Sequence, residues 1–186
     1  MKVKMTVDEL QQMNPCKEAM DFVRKQESLH AAWECCEQAS WMIWFLRRKN
    51  LLDKPTAVKF ACDCASRVLG IYEKKYPDDK RPRAAIDAAT RWLAEPTEES
   101  RAAAAHAAAH AAFAAYAAAY AAYAAAYAAY AAYAADDAAH AAAYAAYAAY
   151  AAAYAADAAD ADAKKTERQW QADELRKLVP NPFDSK

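Results

Sequence analysis

The densest chemical signal in the chain is the run Asp78-Asp79-Lys80-Arg81-Pro82-Arg83. Two guanidinium groups beside a helix start could grip a carboxylate or phosphate in bidentate fashion, because such an end exposes unpaired N–H groups and the positive pole of the helix dipole. The competing use of the same residues is structural. Arg81 and Arg83 would pair with Asp78, Asp79 or Glu73 and fix a turn that Pro77 and Pro82 already stiffen. A second set is aromatic: Trp33, Trp41 and Trp44 in the first half, and Tyr116, Tyr123, Tyr127 and Tyr130 in the second. Such rings bury large amphipathic area at little conformational cost, so they can stack on a base or anchor a protein interface. Arginines on a phosphate and these rings on a base would together sequester a nucleotide. An enzyme acting on that nucleotide would need reactive groups that no residue set here supplies.

Other chemistries find less support. His106 and His110, four apart, share a helix face as a metal site requires, with His140 further on. The helix offers no nearby carboxylate or thiolate to complete the set, so no metal and no cofactor are expected. The five cysteines are an odd number; adjacent Cys35 and Cys36 cannot easily bridge, and Cys62 and Cys64 point about 200° apart around a helix. They read as small buried hydrophobes in a reducing cytoplasm, since the opening MKVKMTVDEL lacks the apolar core of a secretory signal. Gly70 is the only glycine, where average usage would give roughly a dozen. That count removes phosphate-cradling loops and dinucleotide fingerprints. No serine, histidine and acid arrangement stands out, and no carboxylate pair has an acid–base spacing, so the chain reads as a non-enzyme.

Charge narrows the partners. Lys and Arg number 24 against 25 acidic residues, a formal charge of −1, which leaves no global basic footprint for nucleic acid. The tyrosine-rich stretch 101–163 carries only Arg101 and five aspartates, whereas a groove for single strands interleaves cations with its rings. Residues 102–135 contain no charge and are long enough to cross a bilayer. Alanine drives insertion weakly, however, and six tyrosines and two histidines interrupt the run, so no membrane span is expected.

The elements that must position these residues are all helical. The 57% hydrophobic content is dominated by 56 alanines, and the mean hydropathy is −0.33, so large apolar side chains are scarce. Thr6 to Glu9 reads as a capping box, and Asn14-Pro15 as an N-cap with proline in the first turn, giving helices near 7–13 and 15–25. Leu29, Trp33, Cys36, Ile43 and Trp44 recur at helical spacing between Ser28 and Arg48, which predicts the most buried stretch, with a break near Ala39-Ser40 where the serine caps a second helix. Ala57, Ala61, Ala65, Val68 and Tyr72 carry a helix from Lys54-Pro55 to about Tyr76, and Arg81 to Ala94 gives another. No segment alternates like a strand.

From 101 to 163 the composition changes: 43 of 63 residues are alanine, and ten of the twelve tyrosines lie here, with no proline or glycine. Helix is dictated by propensity, with Thr97 as cap and Glu98 and Glu99 in the first turn. From His106 to Tyr154 the large residues advance 48 positions in 14 steps, about 3.4 per step, a heptad-like seam that winds around a straight helix. Asp136-Asp137 is the natural break, giving antiparallel helices near 98–135 and 138–178; the alternative is one helix of roughly 100 Å. Tyrosine rings would then fill the space alanine leaves in the bundle, or bind a partner, or pair with a second copy of the chain. The division predicted is 1–96 as a helical cluster, 97–179 as the long Ala/Tyr helices and 180–186 as a tail.

The run Tyr76 to Leu93, with its Asp-x-Arg-Pro-Arg turn, followed by an alanine-rich helix, resembles immunity proteins of the Imm-5-like family, found in bacteria and phages. Cys16 to Met20, Ala32 to Cys35, Trp41 to Trp44 and Lys164 to Gln169 are similar to other parts of that family. The resemblance implies an all-helical, non-enzymatic protein that neutralises a toxin or defence protein by binding it. A phage-encoded sponge for a small anionic nucleotide signal of host defence is the alternative.

Overall fold

Residues 2–118, 127–128, 130–131, 144, 147–148, 150–152, 154 and 162–184 are described by a computed structural model. They form an all-α fold of α1 (Val7–Gln12), α2 (Lys17–Val23), α3 (Leu29–Cys35), α4 (Ala39–Arg48), α5 (Lys54–Lys75), α6 (Arg81–Ala94), α7 (Glu98–Ala118) and α8 (Ala163–Leu178). Among the described residues the one β pairing is an isolated parallel bridge between Val3 and Phe183.

Side-chain caps start four of these eight helices. Thr6 and Glu9 close the reciprocal box at α1, with Thr6 N donating to Glu9 Oε2 at 2.7 Å and Glu9 N to Thr6 Oγ1 at 3.2 Å. Ser28, Asp53 and Thr97 accept from backbone N–H groups at the starts of α3, α5 and α7. Two expectations fail here. Asn14 does not cap α2: it takes the left-handed conformation (φ 59°) that ends α1, and Cys16 is the N-cap of α2. Asparagine tolerates that region, so the Asn-Pro pair is spent on stopping one helix rather than starting the next. The break in the second stretch falls at 36–38, but Gln38 precedes α4 and Ser40 lies inside its first turn. At the far end of α4, Asn50 (φ 55°) lets Leu51 N donate to Leu46 O at 2.9 Å, the closing bond of a left-handed helix stop.

The centre of the fold is α5 rather than the α3–α4 stretch. Ala57, Val58, Phe60, Ala61, Cys64 and Ala65 have no exposed surface, because α6 and α8 pack against this helix, and α8 packs against α4 as well. Alanine also lines the innermost positions further on, at Ala85 and Ala89 of α6, Ala104 and Ala108 of α7 and Ala172 of α8. In the Ala/Tyr region Ala128, Ala131, Ala148 and Ala152 are fully buried, while Tyr127, Tyr130, Tyr144 and Tyr154 are half-buried. Among the described residues alanine therefore occupies the innermost positions, with Tyr127, Tyr130 and Tyr144 packed against its flanks.

The hairpin is read from ring contacts. Tyr127 lies 6.4 Å from Tyr144 and 5.3 Å from Tyr147, and Tyr130 lies 5.6 Å from Tyr144, centroid to centroid. On one straight helix residues 127 and 144 would be about 25 Å apart, so the chain doubles back between them. The expected turn at Asp136-Asp137 lies outside the described residues. Towards the end of the chain α8 starts at Ala163, with Asp162 as its N-cap.

An ion pair with one partner buried fastens α8 to α5. Arg67 of α5 donates from Nε to Glu167 Oε2 at 2.6 Å, Gln171 donates to Glu167 Oε1 at 3.1 Å, and the Arg67 guanidinium covers the Trp170 ring at 4.6 Å. Glu167 is 3% exposed. Removing Arg67 leaves the buried Glu167 carboxylate without its cation, so Arg67→Met is expected to cost about 2 kcal/mol in urea unfolding. A loss below about 1 kcal/mol would show that the clamp contributes little.

Candidate functional site

The proline-flanked turn is built as a double carboxylate clasp. Asp79 Oδ1 accepts from Arg81 N at 3.1 Å and Arg81 Nε at 2.9 Å, and Oδ2 accepts from Arg81 Nη2 at 2.6 Å and from the Tyr72 hydroxyl at 2.7 Å. Arg83 engages both oxygens of Glu73 at 2.6 Å. The Arg81 guanidinium, and then the Tyr72 hydroxyl, hold the Asp79 carboxyl well below the ordinary carboxylate range. Tyr72 is pushed up to about 12, first by desolvation and then by its bond to Asp79. The two arginines thus tie the start of α6 to the end of α5, with each fork closed on an acid of the same protein.

The tryptophans meet elsewhere. Trp33, Trp41 and Trp44 line one cavity of about 290 Å³ among α1 to α4, closed at one side by Phe183 of the tail. Neither Arg81 nor Arg83 lines it, so the structure does not bring together the arginines and the rings that a nucleotide grip would use. Trp33 is buried, whereas Trp41 and Trp44 are half-buried, Trp41 against Phe22 at 5.9 Å and Trp44 under the Arg48 guanidinium at 5.7 Å. Phe183 was missed by sequence reasoning; its signal is an aromatic residue fixed directly after Pro182. The tail that carries it is held by Val3 N donating to Pro182 O at 2.6 Å and by Asn181 Nδ2 donating to His30 O at 3.2 Å. Arg176 of α8 also donates to the Trp33 and Cys36 carbonyls at the end of α3.

The tyrosines form a third feature. Tyr127 and Tyr130 are half-buried in ring contacts, Tyr123 and the side chain of Tyr116 lie outside the described residues, and Tyr147 and Tyr150 are 55% and 56% exposed. These last two belong to the stripe but not to the set singled out from spacing, because nothing in a heptad-like series tells the buried flank from the open one. Hydrogen bonding from Tyr150, and then the Lys164 ammonium 3.8 Å above its ring, lower the Tyr154 hydroxyl.

Residues 49–178 match the family model described as Imm-5 like putative immunity protein. The chain belongs to that family. The matched stretch contains the Asp79–Arg83 clasp, the Arg67–Glu167 clamp and the Ala/Tyr hairpin. It leaves out every residue lining the tryptophan cavity, so this member of the immunity family carries that cavity on segments beyond the matched region. Comparison with curated proteins found no match, and neither did comparison with solved structures.

Three cysteines behave as small hydrophobes: burial pushes the thiols of Cys36, Cys62 and Cys64 up, Cys62 to about 12. Cys16 and Cys35 do not fit that expectation, being exposed, because one precedes α2 and the other ends the outer face of α3. Among the described residues no group of three or more His, Cys, Asp or Glu is placed to hold a metal, and no helix is long and apolar enough to cross a membrane. His140 and the side chain of His110 lie outside the described residues.

The clasp makes a testable acid-side signature. A carboxyl held low in the folded state stabilises the fold above its unfolded value, near 4, and that stability is lost as pH falls toward the folded value. Asp79→Asn should therefore lower the melting temperature at pH 7 and reduce the fall in stability between pH 4 and pH 2. Parallel profiles for the two proteins over that interval would contradict the assignment.

Proposed function

We propose that this immunity-family protein is a binding protein that neutralises a toxin or defence protein by covering it, and that the Tyr147–Tyr150 face is the centre of the contact. The observation that carries this reading is the pair of tyrosines more than half exposed on a helical surface whose intervening residues are all alanine. Large exposed rings with no charge between them cost little to desolvate, and tyrosine is among the side chains that dominate interface energies. Family membership supports an immunity-type role, and the partner is the toxin that its family context implies.

The protein acts as a binder and not as a catalyst, in the cytoplasm, where its five free cysteines stay reduced. The buried thiols, pushed up by burial, stay protonated and are poor nucleophiles. The clasp at Arg81 and Arg83 is a structural element of this reading. Both guanidinium groups are engaged by Asp79 and Glu73, so an incoming anion would have to displace an internal carboxylate.

The test is calorimetric titration of the protein against the product of the gene beside its own, with growth protection as the cellular readout. Tyr147→Ala with Tyr150→Ala keeps the helix, since alanine is the stronger helix former, yet removes both rings. Binding should weaken by about 2 kcal/mol for each ring that sits at a hot spot, with protection lost in step. Unchanged affinity of the double variant, or no binding by the native protein, would defeat the proposal.

A further inference from the structure

The exposed tyrosine face adjoins a ring that carries a cation. One turn beyond Tyr150, Tyr154 lies 4.5 Å from it, centroid to centroid, and the Lys164 ammonium sits 3.8 Å from the centre of the Tyr154 ring. An ammonium or guanidinium over an aromatic face is attracted by the negative π cloud, and the attraction persists at exposed sites. Tyr147 and Tyr150 offer rings of the same kind, 55% and 56% exposed. The sequence around them bears one sign of charge. Residues 136–163 hold five aspartates, Asp136 and Asp137 ahead of the tyrosines and Asp157, Asp160 and Asp162 behind them, and no lysine or arginine. Lys164, the first cation after this stretch, is the one seated on Tyr154. An acidic or polyanionic partner would meet like charge here, and an apolar partner would gain ring area but nothing from the aspartates. A cationic partner gains from both.

We propose that the Tyr147–Tyr150 face takes a basic protein surface, whose arginine or lysine side chains cover the two rings as Lys164 covers Tyr154. Arginine suits the site best, because its planar guanidinium stacks on a ring and stays charged. The proposal rests on the reading of this face as the partner contact, and adds the chemistry of what it contacts. Tyr147 and Tyr150 are both helical and three residues apart, about 4.5 Å along the axis, so two cations on one short segment of the partner can reach both rings.

The experiment uses the full chain labelled with ¹³C in its tyrosine rings and three short capped alanine peptides, carrying two arginines, two citrullines or two glutamates at the same positions. Tyr147→Phe and Tyr150→Phe, made singly, assign the two resonances. The arginine peptide should shift both and bind at least about fivefold more tightly than the uncharged citrulline peptide, the share of one or two exposed cation–π contacts. Added salt should weaken it, and the glutamate peptide should leave both resonances unmoved. Tyr147→Leu with Tyr150→Leu keeps apolar bulk without a π face, and should lose most of the preference for arginine over citrulline. If that variant does not fold, the comparison of arginine with citrulline on the native protein decides alone. Equal binding of those two peptides would overturn the proposal while leaving the tyrosine contact itself standing. A preference undiminished in the folded leucine variant, or no shift of Tyr147 and Tyr150 at millimolar arginine peptide, would overturn it as well. A native protein that takes the arginine peptide on these rings but ignores the neighbouring gene's product would support this proposal and defeat the toxin reading.

Discussion

Close approach of helices at alanine positions is the constraint on which the rest of this structure depends. Ala57, Ala61 and Ala65 of α5 recur every four residues with no exposed surface, as do Ala85 and Ala89 of α6 and Ala104 and Ala108 of α7. A methyl side chain at the contact lets two backbones come near, but each buried alanine removes little apolar area from water. Large side chains are concentrated around α4 and α5, at Phe60, Tyr72, Ile43 and Leu46. Stability elsewhere has to come from helix propensity, from caps and from polar fasteners such as the Arg67–Glu167 pair and the Asp79–Arg81 clasp. The same constraint decides where tyrosine goes. A seam closed at methyl distance has no room for a phenol ring, so the rings lie along its flanks, stacked on one another or open to solvent.

Much of the fold was legible because local chemistry fixed it. The Thr6–Glu9 box, the α6 span from Arg81 to Ala94 and the cap at Thr97 follow from short-range hydrogen bonding and proline geometry. The all-helical class followed from a single glycine and from alanine. What could not be read were outcomes of packing. Asn14-Pro15 is compatible with an N-cap or with a left-handed stop, and the residue types alone do not choose between them. Periodicity marks a face of α5 and a face of α3–α4 equally well, yet α5 is the one surrounded. The stripe from His106 to Tyr154 shows a seam, but which of two interleaved residue types sits inside it depends on how close the helices come.

The candidate site divides in the same way. Arginines and tryptophans that the sequence allowed as parts of one nucleotide grip are held apart: the arginines close on Asp79 and Glu73, the structural use open to them from the start, and the tryptophans gather around an uncharged cavity. Residue types and spacing could show each group's capability but not its nearest neighbour. Phe183 and Tyr147 were the least visible, the first because a tail residue gains its role only when the chain ends meet, the second because exposure has no signature within a regular repeat.

Alanine inside and tyrosine outside is the central claim, and tyrosine reactivity in the free protein tests it directly. With limiting tetranitromethane and mass spectrometric readout, Tyr147 and Tyr150 should nitrate ahead of half-buried Tyr127, Tyr130 and Tyr144, and Tyr72, 2% exposed beneath the clasp, last of these six. Nitration of Tyr147 and Tyr150 as slow as that of Tyr72 would contradict the account.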